Sequence, residues 1–159
     1  MLTGFAAKDI KILINAHGHS DHAGAFAFFK KLTRAQIAIM EPDVAMIEDG
    51  GESDFHYGHD CQIVGQPPVK VDRVLRDGDT VRLGEVVLTA HHTPGHTRGA
   101  TTWDTTLVDN GRAYRLVWPD GGGFDRAKSE GLQAWVNLEE YGQFVAKQKP
   151  AFEDQVDLV

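Results

Sequence analysis

The sequence predicts an α+β fold, and three observations carry that prediction. In the first half, short apolar runs alternate with helix-permissive stretches. In the second half, strand-like segments follow one another across tight turns. A helical stretch closes the chain. With 159 residues, the chain fits a single domain over 1–159. A domain of this size buries roughly 70% of the surface its unfolded chain exposes. A content of 42% hydrophobic residues supplies the core.

The elements follow in order. Ile10 to Ile14 is an apolar run ending at Asn15, and reads as a strand feeding the loop of His17. Ala23 to Leu32, with Phe26, Phe28, Phe29 and Leu32, reads as one helix whose N-terminal end faces that loop, where a carboxylate is favoured. Gln36 to Met40 reads as a strand. Glu41-Pro42 opens a short helix to Glu48, ended by Gly50-Gly51. Ser53 to Pro68 is irregular and polar. Val69 to Leu75 resumes strand character, and Asp77-Gly78-Asp79 is a tight turn. Thr80 to Leu83 and Val86 to Ala90 read as strands around Gly84. Thr101 to Val108 and Ala113 to Val117 flank Asp109-Asn110-Gly111, a strong hairpin signal. Pro119 to Gly123 is a glycine-rich loop, and Leu138 to Lys149 reads as a helix with Tyr141, Phe144 and Val145 on one side.

The formal net charge of -7 argues against nucleic acid and anionic membranes as partners. Met1 to Ala6 lacks the basic flank and apolar core of a secretory signal, and no stretch approaches a membrane span. The expectation is a soluble chain, cytoplasmic, or periplasmic if an upstream export signal has been lost. The single cysteine, Cys61, allows no internal disulfide and reads as a small buried hydrophobe.

The chemistry concentrates in two runs. His17-Gly18-His19-Ser20-Asp21-His22 packs three imidazoles and a carboxylate into six residues. Thr93-Pro94-Gly95-His96-Thr97 adds an imidazole on a Pro-Gly turn. On an extended segment, residues i and i+2 point the same way, so His17 and His19 can grip one ion. Asp21 and His22 point apart and serve a second ion or brace the first. Such a cluster is expensive to bury unpaired. Structural zinc sites lean on thiolates and close at four protein ligands. Histidine and carboxylate donors that leave a coordination position open suit zinc, with iron or manganese as alternatives. A metal-activated hydroxide is the nucleophile this pattern implies. His56, His59 and His91 read as ordinary surface or hydrogen-bonded residues, and Trp103 as a core residue beneath the site.

His17-Gly18-His19-Ser20-Asp21-His22 resembles the His-x-His-x-Asp-His signature of the metallo-beta-lactamase superfamily. Thr93-Pro94-Gly95-His96-Thr97 followed by Gly99 resembles its next ligand motif. Gly50-Gly51, Asp54-Phe55-His56-Tyr57-Gly58, Val69-Lys70-Val71-Asp72 and Thr101-Thr102-Trp103 are similar to the third subclass of zinc beta-lactamases. The resemblance implies an αββα sandwich with one or two zinc ions. It puts His17, His19 and His96 on the first ion, and Asp21 and His22 on the second, with Asp21 also orienting the attacking hydroxide. The family completes the second ion with a further histidine. Here Asp120 of Pro119-Asp120-Gly121 stands in its place, either as a ligand or as a plain turn residue.

The chain also departs from that family. It starts one strand before the first motif, and a strand and helix are missing between Trp118 and Pro119. The expectation is an incomplete sandwich whose open sheet edge a second copy could cover. The implied function is zinc-dependent hydrolysis of a beta-lactam amide in a small-molecule substrate, which in a cell would mean antibiotic resistance. Lactone or thioester hydrolysis, or a non-catalytic metal-binding remnant, stay open at this point.

Overall fold

The computed structural model describes residues 6–58 and 65–120. Two sheets are laid down in chain order. The first is parallel, with order β1 (Ile12–Leu13), β2 (Gln36–Met40) and β3 (Arg73–Leu75). The second is an antiparallel meander of β4 (Thr80–Leu83), β5 (Val86–His92), β6 (Thr101–Asp109) and β7 (Arg112–Trp118). Three short helices precede β3: α1 (Ser20–Ala23), α2 (Phe26–Thr33) and α3 (Val44–Asp49).

Strand β2 explains the layering. Its side chains alternate between two faces. Ile37 and Ile39 pack with Ala23, Phe26, Ile47 and Val71, beneath the helices. Ala38 and Met40 face the other way and, with Leu75 of β3, pack against Val81, Ala90 and Trp103 of the antiparallel strands beyond. Helices, parallel sheet and antiparallel sheet therefore form three successive layers around two apolar interfaces. The helix expected over 138–149, which would make the fourth layer, lies outside the described residues, as do His59 and Cys61.

Two elements differ from the sequence reading. The helix expected over 23–32 is two helices. Helix α1 starts inside the histidine motif at Ser20, and the chain turns at Gly24-Ala25 before α2 begins. That turn directs Phe26 into the core, while Phe28 and Leu32 are 64% and 55% exposed. The strand expected over 69–75 pairs regularly only at Arg73–Leu75. Ahead of it the backbone bonds to scattered partners, Val69 N–H to Ile47 O and Asp72 N–H to Ile37 O. The hairpin matches its signal: Asn110 and Gly111 take φ of 49° and 81°, as a two-residue loop between right-twisted strands demands.

Beside β1 the space between the sheets forms an apolar groove of about 250 Å³, lined by Ile12, Ile14, Val81, Leu83, Val86 and Leu88. No helix among the described residues is long and apolar enough to cross a membrane.

Candidate metal centre

Three strand ends meet at one place. The loop after β1 carries His17, His19, Asp21 and His22. The β5–β6 loop carries His96, and the segment after β7 carries Asp120. Thr101 N–H donates to Ala16 O at 2.7 Å, tying the start of β6 to the first loop. Beneath it Trp103 is 5% exposed. Its Nε1 donates to Asn15 O at 2.7 Å, and Asn15 Nδ2 donates to His17 O at 2.6 Å. The histidine loop thus rests on a hydrogen-bonded apolar floor.

The rings of His17, His19 and His96 lie edge to face, with centroids 4.5–4.8 Å apart. Each offers a ligand nitrogen within 4.8 Å of the others. His19 Nδ1 and His96 Nε2 are 3.2 Å apart, close enough to share one proton or one ion. His17, Asp21 and His22 make a second group of the same compactness. That group is open to solvent: the side chains of Asp21 and His22 are 75% and 39% exposed. Asp120 belongs to neither group. Its Oδ2 lies 2.9 Å from His17 Nδ1.

The donor set fits a zinc ion. His17 is 3% exposed, and its Nε2 is buried with no hydrogen-bond partner among the described residues. An orphaned buried nitrogen is costly unless something else binds it. Burial, reinforced by the neighbouring His17 and His19, lowers the pKa of His96 and favours the neutral ring that a metal requires.

Two aspartates without a role in the sequence reading hold this arrangement. Asp43, at the start of α3, is 2% exposed. Its Oδ2 accepts from Gly18 N–H at 3.0 Å and Thr97 Oγ1 at 2.6 Å, and its Oδ1 accepts from Gly99 N–H at 2.6 Å. One carboxylate therefore clasps both histidine loops. The fit is close enough to require a glycine at position 99: a Cβ there would lie 2.6 Å from Asp43 Cγ and 2.7 Å from Asp43 N. Burial raises the pKa of Asp43, against the three hydrogen bonds that favour its charge.

Asp54 does different work. Its Oδ2 accepts from His19 Nε2 at 3.0 Å, and its Oδ1 accepts the N–H groups of His56 and Tyr57 at 2.8 and 2.5 Å. Burial pushes its pKa up, but the His19 and backbone hydrogen bonds outweigh it and leave the carboxyl below its usual value. A carboxylate there obliges Nε2 of His19 to carry the proton, which leaves the Nδ1 lone pair facing His96. The same contacts bring Tyr57 alongside the site, its ring 5.9 Å from that of His19.

Residues 1–105 match the model of the metallo-beta-lactamase superfamily. The chain belongs to that superfamily. Among solved structures of the superfamily, native FEZ-1 metallo-beta-lactamase from Legionella gormanii is 48% identical, with a TM-score of 0.69 over 72% of this chain and 43% of that one. BJP-1 of Bradyrhizobium japonicum, a subclass B3 metallo-beta-lactamase, is 40% identical, with a TM-score of 0.66 over 72% of this chain and 42% of that one. An acyl-coenzyme A thioesterase, MBLAC2 of Gallus gallus, is 26% identical over 56% of this chain and 35% of its own length. The chain spans less than half the length of each of these relatives.

Proposed function

We propose that this chain is a zinc-dependent hydrolase that opens the amide of a beta-lactam. The observation that carries the reading is the convergence of His17, His19 and His96, with a buried, unbonded Nε2 on His17. These three residues would hold the first ion, and Asp21 and His22 a second. A bound zinc would act as a Lewis acid and bring the pKa of a coordinated water toward ~7. The chain's own residues do the rest. The Asp21 carboxylate, 4.0 Å from His17 and 3.6 Å from His22, accepts a hydrogen bond from the attacking water and orients it. Asp54 and Asp43 keep the imidazoles in place. Phe55, His56 and Tyr57, all half-buried, wall one side of the space where a compact substrate would sit. The 48% identity to a metallo-beta-lactamase supports the lactam over other carbonyl substrates.

Thioester hydrolysis is the second reading, supported by the similarity to an acyl-coenzyme A thioesterase. Turnover of nitrocefin, set beside release of thiol from an acyl thioester, separates the two. The expected outcome is nitrocefin turnover that a chelator abolishes and zinc restores, and that His19→Ala lacks. Chelator-sensitive thiol release without nitrocefin turnover would move the assignment to thioesters. Turnover that survives His19→Ala would place the site elsewhere.

A further inference from the structure

We propose that Asp120 is a positioning residue for His17, acting on the first ion through the imidazole rather than as a ligand of the second. This inference rests on the zinc reading above.

Asp120 is fixed from both sides. Its N–H donates to Thr102 Oγ1 at 3.1 Å, and its carbonyl accepts from Thr93 Oγ1 at 3.2 Å. Those two hydroxyls are 3.0 Å from each other, and Thr93 and Thr102 are 4% and 0% exposed. The backbone of Asp120 is thus docked on Thr93, just past β5, and Thr102 of β6. From there its Oδ2 reaches His17 Nδ1 at 2.9 Å, and the side chain is 14% exposed.

The chemistry follows from what a carboxylate can do. Ionised, it only accepts hydrogen bonds, so His17 Nδ1 must carry the proton. The lone pair is then forced onto Nε2, the buried atom with no partner among the described residues. Asp54 does the converse to His19, by holding its Nε2 and leaving Nδ1 as the donor. Two carboxylates therefore set opposite tautomers on neighbouring rings, leaving Nε2 of His17 and Nδ1 of His19 as the lone-pair donors of the cluster. Metal-bound histidines commonly give their other N–H to a carboxylate, and loss of that partner costs about 10–100-fold in metal affinity.

The test compares the full 159-residue chain with Asp120→Ala and Asp120→Asn. Zinc affinity and stoichiometry are read by competition with a chromophoric chelator. The tautomer of His17 is read in metal-free protein from its ring ¹⁵N shifts. Asp120→Ala is expected to weaken the tighter zinc site about 10–100-fold with the number of bound ions unchanged. It should also turn the single His17 tautomer into a mixture. Asp120→Asn, which keeps an acceptor oxygen, is expected to recover most of both losses. Loss of one zinc equivalent with the tighter site unchanged would make Asp120 a ligand of the second ion and overturn the proposal. So would an unaltered His17 tautomer in Asp120→Ala. Absence of zinc binding in the parent chain would instead defeat the metal reading, while the metal-free ¹⁵N shifts would still decide what Asp120 does to His17.

Discussion

Asp43 shows what a single carboxylate can carry. It accepts three hydrogen bonds from two loops whose residues lie 25, 54 and 56 positions away. Asp43→Ala would leave two buried N–H groups and a hydroxyl unpaired, at a cost of about 1–3 kcal/mol for each group that finds no water. We expect a clear fall in the denaturant midpoint, together with loss of zinc affinity, because both histidine loops are released. Gly99→Ala should reproduce the effect from the other side, since its Cβ would press on Asp43. A midpoint unchanged in both variants would contradict the clasp. None of this could be read from the sequence. The histidine motif announces itself by local spacing, whereas an isolated aspartate has no spacing to read, and Asp43 resembles any acidic residue near a helix start. Asp54 stood inside a run quoted for its resemblance, but its tie to His19 exists only once α3 has returned the chain to the site.

Among the elements, those with a clear apolar pattern or turn signal of their own were the most legible. The Gln36–Met40 strand and the Thr80–Leu83 strand match their apolar patterns, and the hairpin at Asn110-Gly111 matches its turn residues. The misreadings came where tertiary contacts decide. The helix over 23–32 splits because the motif needs its own turn before the core helix starts. The 69–72 stretch lacks strand pairing because its backbone bonds to scattered partners in α3 and β2. Asp72 is one of those ties. Its carboxylate joins Lys30 of α2, at 2.7 Å, to the Ile37 N–H of β2, at 2.8 Å. Partial burial raises its pKa, but the hydrogen bonds from Lys30 and Ile37 outweigh this and lower it overall. A depressed carboxylate contributes stability that is complete above the unfolded value near ~3.9 and is lost as pH falls through the lower folded value. The stability gap between the parent chain and Asp72→Asn should therefore be full at neutral pH and shrink below about pH 4. A gap that stays constant down to acid pH in thermal melts would contradict this.

At the scale of the whole molecule, the candidate metal centre draws on both halves of the fold. The first loop belongs to the parallel sheet, while His96 and Asp120 belong to the antiparallel one. An ion held between them would bind only the folded chain, and so add stability by mass action, about 2.7 kcal/mol at a hundredfold excess over its dissociation constant. The most direct test of the account is the zinc content of the purified chain and of His19→Ala after equilibrium dialysis against buffered zinc. We expect at least one tightly held equivalent in the parent chain and loss of that equivalent in the variant. A parent chain that retains no stoichiometric zinc, or a variant that retains as much as its parent, would contradict it.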